Sequence, residues 1–221
     1  MKKIFVIYFL CLSLLACTTS RVVKPLKEGE LNISADIGGP VFNYHGYVFP
    51  IPLSSISTAY GLSQNTSLHG GIHTSALIYG VAQFDMGATR EIMQPNAHHP
   101  GLSLSSLLNM SMDVWEYNYH FNPAFDVNLY WDVDKSDSYY YVGVANWFEL
   151  DRKRDHDEDQ PNVWVPALQG GYTWIRRSFR LTGEAKYLAP FSSNQDLTVD
   201  YLGPFGHGAL GVYFSIGYRF R

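Results

Sequence analysis

The run Leu210-Gly211-Val212-Tyr213-Phe214-Ser215-Ile216-Gly217-Tyr218-Arg219-Phe220 decides the fold. Its even positions carry Leu, Val, Phe, Ile, Tyr and Phe, while its odd positions carry Gly, Tyr, Ser, Gly and Arg. A period of two belongs to an extended strand, whose side chains point alternately to opposite faces; a helix would repeat every 3.6 residues. One face suits an apolar surrounding and the other a polar one. Phe125, Val127, Leu129 and Trp131 alternate in the same way with Asp126, Asn128, Tyr130 and Asp132. So do Phe179, Leu181, Gly183, Ala185 and Tyr187 with Arg180, Thr182, Glu184 and Lys186.

Outward from the last strand, ten such segments are expected, at 30–42, 50–62, 66–76, 81–92, 101–114, 122–133, 138–149, 162–175, 178–189 and 208–220. Most reach the ~9–11 residues that a tilted membrane strand needs. Alternation alone leaves two architectures open. In a soluble sandwich the apolar face turns inward, and in a membrane barrel it turns outward. Composition separates them: 16% of the residues are charged and 15% aromatic, against a usual charged share of roughly 25%. Such a chain has too little charge to cover its outside for water.

Loop lengths agree. With the N-terminus on the periplasmic side, the connections on that side are short (around Gln64-Asn65, Asp134–Asp137 and Arg176-Arg177), apart from Met93–Pro100. The opposite side carries Asn43–Phe49, Trp115–Phe121, Leu150–Pro161 and Pro190–His207, with only Leu77–Gly80 brief. Tryptophans fall at segment ends, Trp115, Trp147 and Trp164 at one level and Trp131 and Trp174 at the other, as in paired aromatic girdles. Gly217, Tyr218 and Phe220 partly match the closing strand of single-chain outer-membrane β-barrels, although Arg221 follows the aromatic. Residues 30–221 resemble that family, which implies an antiparallel up-and-down transmembrane β-barrel, all-β, of about ten strands (eight if 76–92 or 30–62 pair differently). It also implies the barrel assembly machinery as a partner.

The first twenty residues, MKKIFVIYFLCLSLLACTTS, place Lys2 and Lys3 before an apolar core too short to span a membrane, which stops at Leu14-Leu15-Ala16-Cys17. This segment resembles a bacterial lipoprotein signal peptide, 1–16. The resemblance implies lipoprotein processing, an acylated Cys17 and a chain lipid-anchored to the bacterial outer membrane, with its lipid as partner. Residues 17–29, with Pro25, Gly29 and no alternation, read as a lipidated tether.

Removing residues 1–16 takes two of the 16 basic side chains and none of the 20 acidic ones, leaving a net charge of −6. Nucleic-acid binding is excluded, because the one dense basic run, Arg152-Lys153-Arg154, sits among five acids. With Cys17 acylated, no thiol remains for a disulfide or a nucleophile.

Parity points Asp36, Asp85, Glu91, Asp113, Asp126, Asp132 and Glu184 inward together with Arg180, Lys186 and Arg219. Seven acids against three bases fill a narrow lumen or, as the alternative, line a small cation-preferring, porin-like pore. His69 and His73 share a face, but four strand residues separate them by about 13 Å, too far for one metal ion. No metal site and no cofactor is expected. His98-His99 read as a turn, and the acids at 155, 157, 158 and 159 as a solvated loop lacking the order of a calcium loop. No catalytic set is legible, and the function read is a structural or interaction role in the cell envelope. An envelope-lipid enzyme using His69, His73 and Asp85, and a lipid-anchored soluble β domain in the periplasm, are the alternatives. The sequence leaves the oligomeric state open.

Overall fold

The computed structural model describes residues 19–115, 117–133, 136–151, 162–194 and 199–220. Cys17, the signal-like segment 1–16 and the acids at 155–159 lie outside them.

Eleven strands form one antiparallel sheet: β1 (Leu31–Tyr44), β2 (Tyr47–Pro50), β3 (Leu53–Ser63), β4 (Thr66–Ile72), β5 (Val81–Met93), β6 (Gly101–Asp113), β7 (Tyr119–Asp132), β8 (Tyr139–Phe148), β9 (Trp164–Arg176), β10 (Phe179–Ser193) and β11 (His207–Phe220). Each pairs with its sequence neighbour in the wall, and β11 pairs back onto β1 from Leu31↔Phe220 to Pro40↔Gly211. The sheet is therefore a closed up-and-down barrel of ten strands, with β2 standing outside the wall on the upper part of β1. Closure pairs the edges that an open sheet would expose.

Burial is the inverse of a water-soluble protein. Among the described residues Ile37, Ile56, Val142, Leu168, Phe214 and Ile216 point outward and are exposed, whereas buried polar and charged residues outnumber buried apolar ones. On β11 Phe214 is 58% exposed and Tyr213 is 1% exposed. Each such side chain left in water would forgo about 1.5–3 kcal/mol, repeated around the whole circumference. The outside is built for hydrocarbon, which removes the soluble-domain alternative.

Along the wall the structure departs from the sequence reading in two places. The segment expected at 66–76 stops as a strand at Ile72, and Thr74–Ile78 form a one-turn helix, α1. Ser75 Oγ accepts from Ser54 N–H at 3.0 Å and Thr74 Oγ1 lies 2.9 Å from Ser54 Oγ, so polar side chains rather than sheet pairing fix this turn to β3. The expected loop 43–49 contains a tight hairpin, with His45 (φ 51°) and Gly46 (φ 90°) both left-handed between Tyr44 and Tyr47. Two central residues with positive φ match the twist of the flanking strands. Trp115, at the start of the connection expected from 115, lies beyond the end of β6 and packs where a Cβ on Gly80 (φ 81°) would stand, a contact open only to glycine.

The largest difference concerns 17–29. The stretch read as a tether to the first strand runs, from Thr19 onward, inside the barrel, with Thr19, Val22, Val23 and Leu26 buried.

Candidate functional site: the occupied lumen

Residues 19–30 form neither helix nor strand, and beyond the bond from Glu30 N–H to Lys27 O at 3.0 Å their backbone turns to the wall. Lumen side chains meet it there. Glu184 accepts from Ser20 N–H at 3.1 Å, Ser67 Oγ accepts from Leu26 N–H at 2.8 Å, and Thr89 Oγ1 donates to Val22 O at 3.0 Å. Near the chain-terminal rim the segment joins the wall through Gly29 N–H to Gly61 O and Gly61 N–H to Glu30 O, both 2.9 Å. A Cβ on Gly61 would come within 2.0 Å of Lys27 O, so the wall needs a glycine where the segment presses closest.

Arg21 is the centre of the arrangement and is 1% exposed at its side chain. Its guanidinium donates from Nε and Nη2 to the two Asp85 oxygens at 3.1 and 2.5 Å, and from Nη1 to Asp36 Oδ2 and Ser55 Oγ, each at 2.8 Å. The planar fork suits two carboxylates at once, as an ammonium would not. Asp36 also accepts from Thr19 Oγ1 at 2.9 Å and from Ser57 Oγ at 3.2 Å, and His73 Nε2 lies 2.8 Å from Asp85 Oδ2. The guanidinium occupies the space over Gly71, where a Cβ would meet Nη2 at 2.8 Å. Breaking a buried ion pair by removing one partner costs about 3–5 kcal/mol, because the remaining charge stays buried and uncompensated.

Two further cations come from the same segment. Lys24 Nζ is 2.6 Å from Asp132 and sits over the Tyr130 ring, and Lys27 Nζ is 3.4 Å from Asp137. Between them Val23 packs on Tyr130, Tyr139 and Tyr141. Those hydroxyls are taken by other inward groups: Tyr130 donates to Glu91, Tyr141 donates to Glu184 at 2.5 Å, and Tyr139 accepts from Arg180 at 2.5 Å. Lys186 lies 3.4 Å from Glu184, and Arg219 lies 3.2 Å from Glu30. Asp126 borders, with Thr19, Asn109, Asn146 and Lys186, a cavity of about 50 Å³ above the segment's tip. Asp113 lies apart from this cluster, at the far rim, where it accepts from Trp115 N–H at 2.7 Å. Arg21 and Lys24 thus meet three of the inward acids, Asp36, Asp85 and Asp132, and Lys27 meets Asp137 at the rim.

The enzyme candidates fall into this packing. His69 Nε2 is 3.0 Å from Thr89 Oγ1, and His73 and Asp85 are held against Arg21. Among the described residues no group of three His, Cys, Asp or Glu side chains could hold a metal ion. One pairing escaped the sequence reading: Ser111 on β6 stands directly opposite His120 on β7, and His120 Nδ1 contacts Asp151. No hydrogen bond joins Ser111 to His120.

A closed sheet with an apolar outside and a charged, filled inside defines a transmembrane β-barrel of the bacterial outer-membrane type. Solved structures similar to this chain are barrels of that type. The translocator domain of the autotransporter NalP from Neisseria meningitidis is 10% identical over 88% of this chain and 90% of its own, with a TM-score of 0.43. The attachment invasion locus protein Ail of Yersinia pestis is 12% identical over 87% and 99%, with a TM-score of 0.31. OprG from Pseudomonas aeruginosa is 10% identical over 90% and 100%, with a TM-score of 0.29. Likeness this distant carries no residue role. No family model and no curated protein sequence matches the chain.

Proposed function

We propose that this chain is an outer-membrane lipoprotein, acylated at Cys17, with a structural or interaction role in the cell envelope, and that its lumen is closed whenever its own residues 19–27 are seated there. The observation that carries the closed state is Arg21, held between Asp36 and Asp85 in the barrel interior. A barrel made to conduct in its resting state would not place a buried guanidinium and the Val23–tyrosine cluster across its bore. Conduction, where it occurs, follows departure of the segment. The interior then loses Arg21, Lys24 and Lys27 and keeps its acids, which favours cations. The lipoprotein-processing and barrel assembly machineries are the partners this reading requires.

Single-channel recording on the refolded chain tests the proposal. The intact chain gives a flat trace, and a variant lacking residues 19–27 gives small cation-preferring steps. Steady conduction by the intact chain at ordinary voltage sinks the closed-lumen reading.

A further inference from the structure

We infer that residues 19–27 seated in the lumen and an acyl anchor on Cys17 lodged in the periplasmic leaflet exclude each other, so that acylation at Cys17 empties the lumen and the unacylated chain keeps it filled. The inference rests on the reading of Cys17 as acylated and adds a conformational consequence to it.

Thr19 is 4% exposed, and its Oγ1 bonds Asp36 Oδ1 at 2.9 Å. Asp36 is the sixth residue of β1, whose first residue, Leu31, pairs with Phe220 at the rim. Five residues at ~3.3 Å, tilted by ~40°, place Asp36 about 13 Å above that rim. Cys17 precedes Thr19 by two residues, a reach of at most ~7 Å of chain. The acyl chains must also pass beneath the rim and around the outside of the wall to enter hydrocarbon. The bore below Thr19 is occupied by the segment itself, with Arg21 and Val23 buried. Thr19 sits near mid-height, so the far mouth is out of reach by a similar margin. Two alkyl chains kept inside would meet Asp36, Glu184 and Lys186 instead of lipid, an exchange that hydrocarbon opposes. The anchor therefore draws the segment out. Arg21 leaves Asp36 and Asp85, and the acid-rich interior becomes open to a cation from solution.

Trypsin reads the segment directly at the Arg21-Val22 bond, because Lys24 is followed by Pro25 and Lys27 is exposed at the rim even when the segment is seated. Acylated protein purified from outer membranes is compared, in one detergent, with mature chain 17–221 carrying Cys17→Ala and refolded without acylation. Heat-modifiable migration establishes that both are folded, and intact mass establishes the acyl group on the first. The expected result is cleavage after Arg21 in the acylated protein at least about tenfold faster than in the unacylated one, since a protease reaches that buried bond only in the open state. Equal protection in a protein whose mass includes the acyl chains overturns the inference alone. Equal, rapid cleavage of both overturns it because the segment is then not seated in either. A purified protein without acyl chains overturns the acylation reading and the inference together.

Discussion

At the scale of single residues, Arg21 shows what alternation cannot predict. The inward acids were legible because each lies on a strand whose parity fixes its face. Arg21 lies on no strand, and its partners Asp36 and Asp85 are 15 and 64 residues away. The sequence held one signal for it, the excess of inward acids over inward bases; the structure adds Gly71, whose missing side chain leaves room for the guanidinium. Replacing Arg21 by Met takes the shared guanidinium from Asp36 and Asp85, leaving Asp36 with hydroxyl donors and Asp85 with His73, and is expected to lower stability by about 3–5 kcal/mol. A denaturant titration followed by gel migration reads the loss, and adding Asp36→Asn and Asp85→Asn restores part of it. Gly71→Ala displaces the same guanidinium and destabilises in the same direction. Gly183→Ala, whose Cβ would meet only a Phe214 ring carbon at 3.9 Å, stays within about 0.5 kcal/mol of the parent. Equal effects at the two glycines would contradict the role given to Gly71.

At the scale of elements, the strands were readable and the pieces between them were not. Period two marks a strand wherever its two faces meet different surroundings, which holds around this entire wall. The segment 19–27 has polar and apolar neighbours in no regular order, because its contacts come from eight strands at different heights. Its lower end can be followed by titration. Asp137 lies in the turn between β7 and β8; burial pushes its carboxyl up, but Lys27 and Arg219 together prevail and hold it below the ordinary value of 3.8. A depressed carboxylate contributes stability that is fully present above its unfolded value and disappears as pH falls through the folded one. A carboxyl carbon NMR titration is expected to place the Asp137 midpoint below the ordinary value, and Lys27→Met is expected to move it upward. An unmoved midpoint would mean that Lys27, and with it the base of the segment, is not held there.

At the scale of the whole molecule, the barrel and its filling form one electrostatic unit. An apolar exterior sets the membrane position. A polar interior of ten strands is wide enough to need filling, and the chain supplies an extended piece of itself that carries the missing positive charges. The fold class was legible from the sequence because the exterior pattern is local. A filled lumen was read from the inward charges, but its filling by residues 19–27 was not, because it depends on contacts between the N-terminus and nearly every other strand. Val23 tests this most directly: it is 2% exposed and packs on Tyr130, Tyr139 and Tyr141 in the bore. The refolded mature chain carrying Cys17→Ala and Val23→Cys is treated with a water-soluble thiol reagent before and after heat unfolding. The filled-lumen account predicts no labelling until the barrel unfolds, whereas labelling of the folded barrel at the unfolded rate would contradict it.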